Sequence, residues 1–211
     1  KRGDIGLRRK ESDWADLIGE PVRIHPEDIP DIELYMDQIT TFMNTRLEST
    51  KRYPTDKILT KMMINNYTKN HLLPPSAKKK YKKEHLYMLF FIYHLKTMLS
   101  ITDIQTLLGP ISESFFFADE DSNLSLEDIY DRTTRMCTDR HPDIREDILQ
   151  AAKKAKDTYS DYILSEEDKD YLDTFSLIYQ LCYDIYVRKQ LIEKLIDRYR
   201  DNHPTEHSKK K

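Results

Sequence analysis

The amino-acid sequence predicts an all-α protein, and three observations predict it. Only 4 glycines occur in 211 residues, and few runs alternate apolar and polar residues, so a sizeable sheet has little to form from. Apolar residues instead recur at three- and four-residue spacing in one segment after another. Prolines and hydroxyl caps punctuate those segments where helices start and stop.

The elements follow in order. Residues 1–30 mix charges with Gly3, Gly6, Gly19, Pro21, Pro26 and Pro30 and show little periodicity. They read as an extended arm, with Trp14, Leu17 and Ile18 as candidate anchors. Asp31 opens a helix to about Ser49 that carries Leu34, Tyr35, Ile39, Phe42, Met43 and Leu47 on one side. Thr60 then caps a helix to Asn70, with Ile64 and Tyr67 turned inward and Lys61, Asn65, Asn66 and Lys69 outward. His71-Leu72-Leu73 ends it, and Pro74-Pro75 forbids continuation. A basic loop around Tyr81, with at most a two-stranded wing near Ala77–Tyr81, leads into a helix from Lys83 to about Met98. Ser100 and Thr102 restart the chain, Ile101, Ile104, Leu107 and Leu108 repeat at helical spacing, and Gly109-Pro110 closes this third helix.

Residues 111–123 read as a linker. Its run Phe115-Phe116-Phe117 is either an exposed partner site or a plug in a groove between domains. Ser125 starts a helix with Leu126, Ile129, Tyr130, Thr133, Met136 and Cys137 on one face, and another runs from about Asp143 to Asp161. Ser165 and Asp168 form a capping box for the longest helix. Along it Tyr171, Phe175, Ile178, Cys182, Ile185, Lys189, Ile192, Ile196 and Tyr199 alternate four- and three-residue spacing, and Leu177, Leu181, Leu191 and Leu195 add a second stripe. Such a seam is either the inner face of a bundle or a self-association face. The expected division is arm 1–30, head 31–110, linker 111–123, helical dimerisation or sensing domain 124–201 and frayed tail 202–211.

Charge is segregated along the chain. Between Lys51 and Gln105 eleven basic residues face three acidic ones, a balance of +8, while Ser112–Asp173 holds eighteen acids and eight bases, −10. The whole chain carries −3. A charge run by itself is an ordinary solvated face. A positive end wrapped around a helical pattern is also the electrostatic footprint of a nucleic-acid binder.

The residues Tyr67, Leu72-Leu73-Pro74-Pro75, Tyr81, Leu86 to Ile92 and Ser100 to Leu108 resemble the MerR-type winged helix-turn-helix of bacterial transcription regulators, over about a quarter of the chain. In that family a recognition helix ends in a Tyr-containing turn and Leu-Leu-Pro-Pro. A basic wing, a Leu/Phe/Ile helix and a Ser-led helix follow. Here Asn65-Asn66 stand where the family has Arg-Tyr, His71 stands for its Gly, and Ser49–Asp56 is longer than its tight turn. From roughly Ile29 to Arg200 the chain also resembles an uncharacterised bacterial family known only as a domain of unknown function.

The resemblance implies a fold of a MerR-like winged head followed by a C-terminal helical bundle. It implies double-stranded DNA as partner and a homodimer, since one such head covers only a half-site. Lys78, Lys79, Lys80, Lys82 and Lys83 flank Tyr81 in the wing, where phosphate contact would release counterions. Base reading falls to the helix carrying Thr60, Lys61, Asn65, Asn66 and Lys69, because a carboxamide pairs bidentately with adenine. For Asn65 and Asn66 the plain alternatives are a solvent-facing residue and a local backbone bond. The dimerisation seam would use Phe175, Ile178, Ile185, Ile192 and Ile196.

Enzymatic chemistry finds no support in the residues. No phosphate loop, dinucleotide glycine fingerprint, nucleophile elbow or His-Glu-x-x-His is present. Cys137 and His141 have ligand-like spacing but lack a second pair, and His203 and His207 lie in the expected tail, so neither metal nor cofactor is expected. The acidic triplets at Asp119 and Glu166 sit in a linker and at a helix start, where they favour the helix dipole. Cys137 and Cys182 read as small core residues. No apolar run spans a bilayer and no secretory signal is visible, which makes the cytoplasm the expected compartment. A DNA-binding regulator is therefore expected. A helical adaptor that takes an acidic protein partner through its basic face is the alternative.

Overall fold

The computed structural model describes Trp14, residues 17–117 and residues 122–203; the remainder of the expected arm and tail lies outside them. The described residues are predominantly helical: α1 is Met36–Arg46, α2 Lys61–Lys69, α3 Lys83–Leu95, α4 Ile101–Phe115, α5 Leu126–Asp139, α6 His141–Asp157 and α7 Glu166–Asn202. Two-residue strands β1 (Leu34–Tyr35) and β2 (Lys80–Tyr81) pair antiparallel, Leu34 opposite Tyr81 and Tyr35 opposite Lys80. The chain divides into two compact units. Of the described residues, those of Val22–Met136 with those from Glu193 on make one, and Cys137–Ile192 with those up to Pro21 make the other.

Local signals set most helix starts. Thr60, Ser100, Ser125 and Ser165 each accept, through the hydroxyl, a backbone N–H three residues on, which satisfies one of the four orphan donors of a helix start. Three expectations are corrected. The first helix begins at Met36, not Asp31, because Leu34–Tyr35 is taken as strand by Lys80–Tyr81. The basic turn therefore pairs with the entry to α1, and its own return adds only an isolated bridge, Ala77 to Lys80. Second, α4 runs on through Gly109-Pro110 to Phe115. Glycine before proline removes the Cβ that clashes with the proline ring, so the dipeptide is tolerated inside a helix whose Leu108 and Ile111 are packed. The start of the expected linker is thus helix. Third, the expected arm is packed from Val22 on: Ile24 and Ile29 are buried, and Tyr130 donates its hydroxyl to the Ile24 carbonyl at 2.9 Å.

The core of the first unit joins Ile39 and Met43 of α1, Ile64 of α2 and Leu86, Met88, Leu89 and Ile92 of α3. These side chains are essentially inaccessible, so truncating one to alanine costs about 2–5 kcal/mol. Tyr130 of α5 lies among Tyr87, Phe90 and Phe91, with ring centroids 4.9, 5.8 and 5.7 Å away. Burial there pushes the Tyr130 hydroxyl up to about 12. Leu126 and Tyr130 thereby belong to the head's core, so the boundary drawn at residue 124 is corrected too. Phe116 packs edge-on against His85 at 4.7 Å, inside its own unit, and Phe117 is exposed.

The second unit has a small core, Ala151, Ala152 and Ala155 of α6 against Leu177 of α7, with Trp14 and Leu181 packed on it. Three alanines bury little area. Cys137 and Cys182 are free and exposed rather than core residues. No helix among the described residues is long and apolar enough to cross a membrane.

Candidate nucleic-acid interface

Helix α2 and its cap carry five of the eleven predicted contact residues, and four devices fix the helix. The long connection after α1 is pinned by Asn44, whose carboxamide donates to the Leu59 carbonyl at 2.8 Å and accepts from the Leu59 N–H at 3.5 Å. Lys96 of α3 donates to the Ile58 carbonyl at 2.9 Å, and its burial holds its ammonium below the ordinary lysine range. The C-terminal end of α2 closes with crossed bonds, Leu72 N–H to Tyr67 carbonyl at 2.8 Å and His71 N–H to Thr68 carbonyl at 3.1 Å. That closure needs a left-handed residue, usually glycine, and His71 takes it with φ of 53°. Gln105 of α4 donates to the Asn70 carbonyl.

The outward face of α2 is as predicted: Lys61, Asn65, Asn66 and Lys69 are exposed, and Ile64 and Tyr67 are buried. Thr60 is half-buried at the cap. The Asn66 side-chain oxygen accepts from Asn70 at 2.9 Å, which commits it locally, whereas the exposed Asn65 carboxamide has no hydrogen-bond partner among the described residues.

The basic turn is tight. Lys80 N–H bonds the Ala77 carbonyl at 2.9 Å, and Lys78 and Lys79 have φ of 51° and 63°. Positive φ at both central positions is the geometry that asparagine-glycine ordinarily fills. Two lysines hold it at a cost of about 1 kcal/mol each, and both are exposed. Lys82 is exposed as well, but the other predicted contacts differ. Lys80 pairs with Glu33 at 3.3 Å, Lys83 with Glu127 at 3.1 Å and Asp31 at 3.7 Å, and Lys61 with Asp37. The bond to Glu127 raises the Lys83 pKa. Tyr81, placed in the sequence among contact lysines, is buried, with its ring 5.1 Å from that of His85 and its hydroxyl facing the Met36 sulfur. It anchors the turn and cannot touch a partner.

His85 is 3% exposed at the third position of α3. Its Nδ1 accepts the Lys82 N–H at 3.0 Å, so the neutral ring carries its proton on Nε2. That atom is buried near the Pro75 and Pro74 carbonyls without a hydrogen bond of ordinary geometry. Desolvation drives its pKa down to about 4.

Sequence reading missed the surface beside the start of α2. An open depression of about 520 Å³ is lined there by Thr40, Thr45, Lys51, Lys57, Thr60 and Lys61. Lys51 and Lys57 were visible only as part of the +8 balance. Lys57, Lys69, Lys78, Lys79 and Lys82 are exposed and form no ion pair among the described residues.

The predicted seam on α7 is uncovered. Phe175, Ile178, Ile185 and Ile192 are all exposed, Ile178 at 55% and Ile185 at 47%, whereas Ile196 is buried and unavailable. Among the described residues the seam from Phe175 to Ile192 is therefore not packed as the inner face of a bundle. Only Leu177 and Leu181 of the second stripe pack inward. No group of histidine, cysteine and carboxylate side chains able to hold a metal occurs among the described residues.

Comparison with curated proteins and with solved structures found no match. The model of the family described as Domain of unknown function (DUF1836) matches residues 24–133. That span stops far short of the Arg200 expected from the sequence, and lies within three residues of the Val22–Met136 stretch of the first unit at each end. The matched segment therefore contains β1 through Tyr130, from the Ile24 carbonyl to the hydroxyl that bonds it, and with 110 of 211 residues covered the chain belongs to that family.

Proposed function

We propose that this protein is a DNA-binding transcriptional regulator that engages duplex DNA through α2 and the Ala77–Lys80 turn, in the manner of a MerR-type winged helix-turn-helix. The observation that carries the reading is the turn itself. Lys78 and Lys79 occupy strained left-handed positions, are exposed, and form no ion pair among the described residues. Strain kept at two adjacent residues suggests that charge is wanted at that tip more than stability. The order β1–α1–α2–β2–α3, the Thr60 cap and the exposed Asn65 beside Lys61 support the same reading. Random-sequence duplex DNA should bind, and the affinity should fall steeply with salt as phosphate counterions are released. Absence of any salt-sensitive binding would remove the proposal.

The regulator would act as a homodimer through α7. Twelve large apolar side chains on that helix are exposed, from Tyr171 to Tyr199. Half-exposed side chains of this size present on the order of 100 Å² each, which together exceeds the roughly 800 Å² per partner of a stable dimer. A helix apolar around so much of its circumference is ordinarily covered. A second reading, a helical adaptor for an acidic protein, draws on the ion pairs of Lys61, Lys80 and Lys83, which already accept carboxylates. A stoichiometric acidic protein that binds while duplex DNA does not would favour it.

A further inference from the structure

Met62 is an apolar side chain that the core does not account for. It follows the Thr60 cap by two residues and is 80% exposed, on the same helix as the exposed Lys61, Asn65 and Asn66. A methionine so placed gives up hydrophobic stabilisation without filling any cavity. The residue one turn on, Asn65, is exposed and has no hydrogen-bond partner among the described residues, whereas Asn66 is committed to Asn70. The outward surface therefore presents a flexible thioether and, about 4.5 Å further along the axis, an uncommitted donor–acceptor pair. That offset is close to the ~3.4 Å rise of one base step.

The major groove offers one apolar feature, the thymine 5-methyl group, and one edge that matches a carboxamide bidentately, adenine N6 and N7. We propose that Met62 is a specificity-determining residue of this protein, packing its thioether on a thymine methyl while Asn65 takes an adenine at the neighbouring step, so that α2 selects A·T pairs. This inference rests on the duplex-DNA reading above. It adds what that reading leaves open, the chemical class of sequence selected. Lysines of the turn and of the depression beside α2 position the helix and carry no sequence preference. Met62 and Asn65 supply it.

The test is selection of binding sites from a randomised duplex pool, followed by replacement of each selected thymine with deoxyuridine, which removes only the methyl. The wild-type chain should enrich A·T pairs and lose about four-fold in affinity at one thymine position when its methyl is removed, as expected for one buried methyl group. Met62→Ala should bind the thymine and uracil duplexes equally, Met62→Leu should keep the discrimination, and Asn65→Ala should lose the adenine preference. Alanine is the best helix former and residue 62 is exposed, so the variant should fold, which its thermal transition verifies. Enriched sites without A·T preference overturn the inference and leave DNA binding intact. A Met62→Ala chain that still discriminates thymine from uracil does the same. A wild-type chain that enriches no duplex overturns both readings together.

Discussion

Replacing Lys78 with Asn and Lys79 with Gly should make the protein more stable and a weaker DNA binder at once. Both residues have positive φ in a two-residue turn closed by the Lys80 N–H to Ala77 carbonyl bond. An L side chain in that region costs about 1–2 kcal/mol, and glycine and asparagine relieve most of it. The double variant should gain roughly 1–2 kcal/mol, since glycine also returns some unfolded-state entropy. For a chain of 211 residues that is a rise in Tm of about 2–6 °C. The same change removes two exposed charges that form no ion pair among the described residues. If both meet phosphates, the slope of log affinity against log salt should become shallower by about 1.8, and all sequences should weaken alike. Differential scanning calorimetry and titration of a labelled duplex across a salt series measure the two effects. A fall in Tm would refute the strain argument. An unchanged slope would take the turn out of the interface, whatever the stability does.

Three further outcomes are expected. His71→Gly should raise stability by about 1 kcal/mol, measured by urea unfolding, because His71 closes α2 at φ of 53°; a loss would mean that the imidazole makes a contribution beyond the backbone. The pH profile should show His85. Its folded pKa of about 4 lies below the unfolded value of 6.5, so as pH falls from 6.5 the unfolded chain binds the proton first and stability drops, by about 3 kcal/mol in all by pH 4. His85→Gln keeps the acceptor for the Lys82 N–H and should lose that part of the slope, and parallel profiles for the two proteins would contradict the assignment. Ile185→Asp with Ile192→Asp should convert a dimer to a folded monomer, since both residues are exposed in the single chain; a native protein that sediments as a monomer at tens of micromolar would end the dimer proposal.

The sequence made legible what short-range chemistry decides. Thr60, Ser100, Ser125 and Ser165 announced their helices because a hydroxyl cap acts within three residues. Ile64 and Tyr67 announced the inner face of α2 through helical spacing, and Pro74-Pro75 its end. What stayed hidden depends on partners far along the chain. Leu34 and Tyr35 carry a helix-compatible pattern and become strand only because Lys80–Tyr81 offers a partner 45 or more residues away. Tyr81 reads as one aromatic in a lysine run, and its burial is fixed by Met36 and His85. Gly109-Pro110 carries a stop signal that the packed residues on either side override. On α7 the periodicity was plain, but pattern alone cannot tell a face covered by its own chain from one left open. For the site, the outward set on α2 was readable, whereas the ion pairs that occupy Lys61, Lys80 and Lys83 were not, since their acids come from other elements.

The bond from Tyr130 to the Ile24 carbonyl also sets a clock on biosynthesis. It joins residues 106 apart and is accompanied by the Arg23–Asp131 ion pair. A ribosome adding about 5–20 residues per second takes roughly 5–20 s to make the intervening chain. For roughly the last 2–9 s of that interval, while about 40 residues from Tyr87 to Tyr130 are added, the surface of Tyr87 and Phe90 that Tyr130 later covers stands open, long after α1 and α2 have emerged. The nascent head is therefore exposed to chaperones and to its own copies for seconds, and a stalled or truncated chain ending near Pro110 would remain in that sticky state permanently.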